Sequence, residues 1–221
     1  MSTISFDIID HLADIQPGSH LDELRSQRPQ ARENAQKSYS ALFDPDDAGN
    51  VSALERYAVA TFVTGLHRQS VAADFYAAAL QKLDRPDIAD IVDAEITRGL
   101  AKGPYGRYPE GPLSTEDEEG PDYRVFPGHE EILGARLAAA LQHAHLLVFH
   151  PRDANPEALQ KLLGAGWSTT DIVTLSQLVA FLSFQIRVVA GLRALAATSN
   201  HTSASSGEAP VFTALLASGA L

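Results

Sequence analysis

The residues of this chain whose types and spacing are best suited to chemistry lie between positions 52 and 83. A carboxylate, an imidazole, a hydroxyl and a second carboxylate follow one another there as Glu55, His67, Ser70 and Asp74. On one helix, positions i, i+3 and i+7 share a face, so the last three side chains would be neighbours. An imidazole beside a hydroxyl and a carboxylate can relay protons, and histidine is the usual general base near neutral pH. The set is therefore a candidate site for acid–base catalysis.

The same residues also have a structural explanation. Ser52 and Glu55 have the spacing of a capping box, in which each side chain binds the backbone amide of the other. Asp74 also suits a solvated helix position. Glu55 approaches His67 only if the chain bends at Gly65, because twelve residues on a straight helix leave the two about 120° apart around the axis. Spacing alone leaves both interpretations open.

The surrounding sequence is typical of helices, and no segment shows the alternation of a strand. Apolar residues recur at helical spacing, and Ser or Pro often stands where a helix would begin. The predicted helices span approximately residues 4–15, 21–28, 29–43, 52–64, 66–83, 86–102, 129–149 and 156–163, with a last long helix from about residue 168. The sequence therefore predicts an all-α fold with a central helix pair that meets at Gly65.

Residues 103–128 interrupt this helical pattern, and we call them the long loop. They contain five prolines and an acidic run at 116–119, and they are long for a connection inside a compact domain. The loop is either functional or a divider between two helical halves, and its aromatic residues predict that parts of it pack down. We expect one helical domain over residues 1–200. Residues 201–221 are predicted to be a Ser-rich linker and an apolar tail that docks on this domain or on a neighbouring subunit.

Composition excludes several classes of function. The net charge of -11 argues against nucleic acid and anionic membranes as partners. The absence of cysteine excludes thiolate chemistry and sulfur-based zinc sites in this chain. His143 and His145 are two positions apart, so they do not share a helix face as paired metal ligands would, and neither a metal nor a cofactor is expected. No apolar run approaches the ~20 residues that span a bilayer, and a basic leader is absent, so we expect a cytoplasmic protein.

The stretch at residues 52–83 resembles the carboxymuconolactone decarboxylase and alkylhydroperoxidase AhpD-like superfamily. In the AhpD branch a glutamate is followed twelve residues later by Cys-x-x-Cys, and a histidine stands four residues after the second cysteine. Glu55 falls on the family glutamate. His67 and Ser70 stand where the two cysteines would be, and Asp74 stands where the histidine would be. The spacing is kept, although three of the four residues differ.

A second stretch, residues 154–192, resembles the C-terminal half of the peroxidase-related branch, and Arg187 occupies its arginine position. The resemblance implies an AhpD-like fold, assembly into dimers, trimers or hexamers, and a peroxidase-related or antioxidant role. Dithiol peroxide reduction does not follow, because it needs two thiols. The decarboxylase branch works without a dithiol and implies cofactor-free proton transfer, with His67 as acid or base. Arg68, Arg187 and His145 would then bind the substrate.

The sequence leaves two other functions open. The chain would be a non-catalytic structural or regulatory subunit, paired with a cysteine-bearing AhpD-like relative. Alternatively, it would be a small-molecule binding protein that uses an apolar cavity between the helical halves. His145 bears on this choice, because a histidine on an apolar helix stripe is either a hydrogen-bonded core residue or a ligand-binding group.

Overall fold

A computed structural model describes the backbone of residues 6–205 and the side chains of residues 6–198. The all-α prediction is confirmed over this part of the chain, which contains nine α-helices and no strand. The helices are α1 (Ile8–Ala13), α2 (His20–Ser26), α3 (Pro29–Phe43), α4 (Ala53–Leu66), α5 (Ser70–Gln81), α6 (Pro86–Gly99), α7 (Pro127–Phe149), α8 (Pro156–Gly164) and α9 (Thr169–Ser205).

The helices begin where the sequence supplies a start signal. Pro29, Pro86, Pro127 and Pro156 each occupy the beginning of a helix, where the fixed φ of proline fits and its missing N–H is not needed. The predicted capping box at the start of α4 is confirmed: the side chain of Ser52 and that of the third helical residue each bind the backbone of the other. Local chemistry therefore explains most of the helix boundaries.

Helix α4 lies in the centre of the molecule and packs against α5, α6, α7 and α9. It is apolar around most of its circumference, as expected for a helix that is covered on several sides. One apolar cluster includes Leu80 from before the long loop together with Leu141 and Leu178 from after it. The two helical halves therefore share a core.

The sequence predicted that α4 and α5 meet at Gly65, but the break between the two helices lies after Leu66. Helix α4 continues through Leu66, and α5 begins at Ser70 after a turn in which Arg68 has a left-handed φ of 54°. Gly65 is needed for packing instead, because a Cβ there would lie 2.6 Å from the Cδ1 atom of Ile96 on α6. The glycine permits close approach of two helices and does not end one.

The long loop runs from residue 100 to residue 126 between α6 and α7. Its predicted packing is confirmed for Tyr105 and Tyr123, which contact the apolar cluster that the two helical halves share. Phe126 is exposed. The loop contains one 3-10 turn, Pro112–Glu116, and a single backbone bridge.

The end of the chain differs from the prediction. Helix α9 continues to Ser205, through the first positions of the linker that the sequence predicted from residue 201. The apolar tail falls outside the described residues.

Two helices are long and apolar enough to cross a membrane by length and composition, Pro127–Phe149 and Thr169–Thr198. The prediction that no segment reaches this length was therefore wrong. It overlooked that these helices carry few charged residues, Glu130, Glu131 and Arg136 in the first and Asp171, Arg187 and Arg193 in the second. Half of the most apolar window in each helix is buried inside the protein. These criteria are weak evidence for a membrane, because core helices of folded proteins meet them too.

Candidate functional site

The structure separates Glu55 from His67. They lie near opposite ends of the continuous helix α4, in its first turn and at its C-terminal cap. Twelve residues at 1.5 Å each place them about 18 Å apart along the axis. The predicted approach through a bend at Gly65 is wrong, because Gly65 lies within the helix.

Both carboxylate oxygens of Glu55 are engaged in holding helices together. One oxygen accepts hydrogen bonds from the amide and hydroxyl of Ser52, at 2.8 and 2.9 Å. The other accepts from the guanidinium of Arg136 on α7 at 2.6 Å. Arg136 also donates to Asp171 of α9 at 3.4 Å and lies 4.1 Å from the ring centre of Trp167. Glu55 therefore belongs to a network that joins α4, α7 and α9.

The prediction that one helical face carries His67, Ser70 and Asp74 is wrong. His67 caps α4, whereas Ser70 and Asp74 lie on α5 and are exposed. No hydrogen bond joins the three in the described part of the chain. The Nε2 atom of His67 is buried without a hydrogen-bond partner there. Burial, together with the charge of Arg187, lowers the pKa of His67, so its ring is neutral at neutral pH.

The three predicted substrate-binding residues lie in different places. Arg187, on α9, is exposed and donates to the backbone of Ser183 at 2.6 Å. Arg68 lines a groove of about 200 Å³ between the start of α5 and α9. His145 lies on α7, and no described contact joins it to the other two. The arginines and the imidazole are therefore not gathered around one substrate.

A cavity of about 320 Å³ lies between the long loop, α7 and α8, and we call it the loop cavity. Its volume is at the lower end of the range for small-molecule sites. Loop residues 120–124 cover one side. Its polar lining includes Arg124, Gln142, His143, His145, Asn155 and Lys161.

His143 stands out in this lining because its hydrogen-bonding capacity is unused. The residue is 6% exposed, and its Nδ1 atom is buried without a partner among the described residues. Burial lowers the pKa of His143, which keeps the ring neutral at neutral pH. A neutral imidazole has one donor and one acceptor. Since buried polar groups are nearly always paired in proteins, this ring is the clearest sign of a ligand at the cavity.

His145 lines the same cavity but is already paired. Its Nε2 atom donates to the carbonyl oxygen of Gly99 at 2.9 Å, and its ring stacks on Tyr123 with the ring centres 4.4 Å apart. Burial lowers the pKa of His145 to about 4. The geometry of His145 is therefore that of a hydrogen-bonded core residue.

The expectation that His143 and His145 face apart needs qualification, because both line the loop cavity. Within residues 6–205, no group of three His, Asp or Glu side chains is arranged to hold a metal ion.

A buried carboxylate attaches the end of the long loop to α6. Glu95 is 0% exposed and accepts hydrogen bonds from the Tyr123 hydroxyl at 2.8 Å, the Phe126 amide at 3.1 Å and the His129 ring at 2.5 Å. Burial opposes ionisation of Glu95, but these hydrogen bonds outweigh it and lower the pKa of the carboxyl. The ionised Glu95 therefore holds Tyr123 in place beside the cavity.

The rest of the loop is attached to the C-terminal end of α7. The Tyr105 amide donates to the Phe149 carbonyl at 2.6 Å. The His150 ring lies 3.1 Å from an oxygen of Asp153 and donates to the Pro121 carbonyl at 3.2 Å. These contacts fix the segment that covers the loop cavity.

Sequence reasoning missed most of these residues. Glu95 did carry a signal, because it falls on the apolar stripe formed by Ile88, Ile91 and Val92, where a carboxylate must be paired. His143 was considered only as a metal ligand. Arg136 carried no signal, since it lies 81 positions from its partner Glu55.

Comparison with known proteins adds no family assignment. The chain matches no protein-family model, and no curated protein matches it significantly. The AhpD-like resemblance therefore rests on the two stretches at residues 52–83 and 154–192.

Proposed function

We propose that this protein binds a small molecule in the loop cavity. The observation that carries the proposal is His143, a buried imidazole that lines the cavity and has no hydrogen-bond partner in the described chain. No described residue therefore competes with a ligand for hydrogen bonds to this ring.

The composition of the cavity supports this function. Ala139, Leu146 and Leu162 supply apolar surface, while Gln142 and His143 supply polar groups. Ligand sites typically combine a mainly apolar wall with a few polar groups that orient the ligand. The sequence analysis expected such a site in an apolar cavity between the helical halves, whereas the loop cavity lies between the long loop, α7 and α8.

A variant that fills the cavity tests the proposal. Ala158 lines the cavity from α8, so Ala158→Phe should reduce the affinity of fragments found by ligand-observed NMR by about tenfold or more. Glu157→Phe is the matched control, because residue 157 is adjacent on the same helix and exposed. Fragments that bind wild type and Ala158→Phe equally well would place binding elsewhere and contradict the proposal.

A second candidate function is proton transfer at His67, as the decarboxylase resemblance implies. Its support is the buried Nε2 atom without a described partner, in a ring that is neutral at neutral pH and near the charge of Arg187. A neutral imidazole can act as a general base. Glu55 has no part in this version, because both of its oxygens are engaged at the other end of α4.

Turnover of lactone acids tests this second candidate. His67→Ala should lower the rate of decarboxylation or isomerisation by about a hundredfold or more, since general acid–base catalysis contributes that much. His20→Ala, at an exposed position, serves as the control. Full activity of the His67 variant would exclude the assignment.

The remaining sequence predictions stay predictions. They are membership in the AhpD-like superfamily, a peroxidase-related role without the thiols, homo-oligomerisation, pairing with a cysteine-bearing relative, and a cytoplasmic location. Light scattering on the purified chain would measure the subunit count. Dithiol-dependent peroxide consumption by the same sample would contradict the expectation that this chain cannot carry out thiol chemistry.

A further inference from the structure

We infer that the ligand of the loop cavity is a small hydroxy acid, whose carboxylate binds Lys161 and whose hydroxyl binds His143. The inference rests on the proposed function and names the chemical class of its ligand. It depends on the charges of the cavity lining, on the protonation state of the buried imidazole and on the apolar surface of the cavity.

Lys161 supplies the charge argument. It lines the cavity from α8, is exposed, and forms no ion pair within residues 6–198. The other cation of the wall, Arg124, lies 3.4 Å from the carboxylate of Asp122, which also lines the cavity. The ammonium group of Lys161 is therefore available to an anion.

The remaining acid of the wall does not compete for Lys161. One oxygen of Asp153 accepts a hydrogen bond from the Arg107 amide at 3.2 Å, and the other lies 3.1 Å from the His150 ring. Both oxygens therefore bind the loop and the end of α7. A ligand carboxylate meets one unpaired positive charge at the cavity, which favours a monoanion.

His143 requires a different group of the ligand from the one that binds Lys161. It is a neutral ring in a buried position, and burying a carboxylate against it would remove the charge from water without a counter-charge. A hydroxyl can both donate and accept, so it pairs with the ring nitrogen that faces the cavity in either tautomer of the neutral ring. The group that meets His143 is therefore neutral.

The size and the apolar lining of the cavity limit the body of the ligand. Ala139, Leu146 and Leu162 supply apolar surface in the same lining. A volume of about 320 Å³ corresponds to roughly ten waters. A single ring or a short hydrocarbon chain with a carboxylate at one end and a hydroxyl at the other fits this description.

Calorimetric titration of the full chain with 4-hydroxybenzoate tests the inference, with two analogues as comparisons. 4-Hydroxybenzamide keeps the hydroxyl and removes the charge, while benzoate keeps the charge and removes the hydroxyl. We expect each analogue to bind about tenfold more weakly than 4-hydroxybenzoate, because each leaves one polar wall unpaired.

Two variants test which residue binds the carboxylate and which binds the hydroxyl of the ligand. Lys161→Gln should weaken 4-hydroxybenzoate about tenfold and leave the amide unchanged. His143→Leu should remove the preference for 4-hydroxybenzoate over benzoate, because the partner of the hydroxyl is gone. Lys82→Gln is the matched control for charge, since Lys82 is exposed at the end of α5 and does not line the cavity. Circular dichroism of each variant verifies that it is folded.

The outcomes separate this inference from the proposed function. Equal binding of acid and amide, an unchanged affinity in Lys161→Gln, or no binding of 4-hydroxybenzoate at millimolar concentration would overturn the hydroxy-acid inference. The proposed function survives each of these results if fragments still lose affinity in Ala158→Phe. Unchanged binding of 4-hydroxybenzoate to Ala158→Phe would place it outside the cavity and overturn the inference as well.

Discussion

At the scale of single residues, Glu55 and His143 differ most from what their spacing in the sequence suggests. The first is fully hydrogen-bonded, and the second has an unpaired nitrogen. Glu55 falls on the glutamate of the AhpD-like resemblance, yet Ser52 and Arg136 use both of its oxygens. His143 was set aside in the sequence, yet it has a buried nitrogen without a described partner. A residue with free hydrogen-bonding capacity at a cavity is a better candidate for function than one that is fully paired.

A substitution at Glu55 distinguishes a structural from a catalytic role. Glu55→Gln should lower the free energy of unfolding by about 1–2 kcal/mol, because it removes the charge that Arg136 binds and weakens the cap of α4. Urea unfolding measures this loss. Glu157→Gln, at an exposed position of α8, is the control. An unchanged midpoint at Glu55 would mean that the network contributes nothing to stability.

At the scale of elements, the break after α4 determines which polar groups are neighbours. The break falls after Leu66, so His67 leaves the helix that carries Ser70 and Asp74. Gly65 lies one residue before that helix end and contacts Ile96 of α6. The glycine was interpreted as a helix break, but its missing side chain is what lets α4 and α6 approach.

Gly65→Ala tests this interpretation. Overpacking against Ile96 costs about 1–3 kcal/mol, and the better helix propensity of alanine returns about 1 kcal/mol. We expect a net loss of about 1 kcal/mol in thermal or urea unfolding. Adding Ile96→Ala should reduce the effect of the first change, as a double-mutant cycle would detect.

A matched glycine provides the control. Gly191 lies within α9, and a Cβ there would meet no atom within 4 Å. Gly191→Ala should therefore leave stability unchanged or raise it by up to about 1 kcal/mol. Equal effects of the two substitutions would mean that the contact with Ile96 does not limit the packing of α4.

At the scale of the whole molecule, the long loop is part of the fold and not a solvated connector. Glu95 holds one side of it, and the end of α7 holds the other. Tyr123 joins this attachment to the cavity, because its hydroxyl binds Glu95 and its ring stacks on His145. The loop, the helices beneath it and the cavity therefore respond together to conditions that weaken these contacts.

Acid should weaken this arrangement in a defined range of pH. Burial lowers the pKa of His145 from 6.5 to about 4. Between these values the unfolded chain binds more protons than the folded one, so stability rises with pH from about 4 to 6.5 and is fully present above that range. The lowered pKa of His143 acts in the same direction.

Unfolding at a series of pH values measures this dependence. His145→Gln keeps a donor for the Gly99 carbonyl and removes the titrating ring, so it should flatten the slope between pH 4 and 6.5. His20→Gln changes an exposed histidine and should leave the slope as in wild type. Equal slopes in wild type and His145→Gln would contradict the prediction. Glu95 acts below this range, because its pKa is lowered from 4.5.

The sequence by itself determined the helical class and most helix starts. Prolines at first positions, the Ser52–Glu55 capping box and apolar stripes act within one or two turns, so their effects are readable from spacing. Glu95 was partly readable too, as a carboxylate on an apolar stripe. These features depend only on residues that are close in the chain.

Only the tertiary structure decided which polar groups meet. Glu55 and Arg136 are 81 positions apart, and Glu95 and His129 are 34 positions apart. Whether His143 faces a partner or a cavity depends on where the loop and α8 lie over α7. Hydrogen bonds and burial are set by distance in space, and spacing along the chain reports that distance only within a helix. The candidate site is therefore the loop cavity, at residues 120–162, and not the predicted site at residues 55–74.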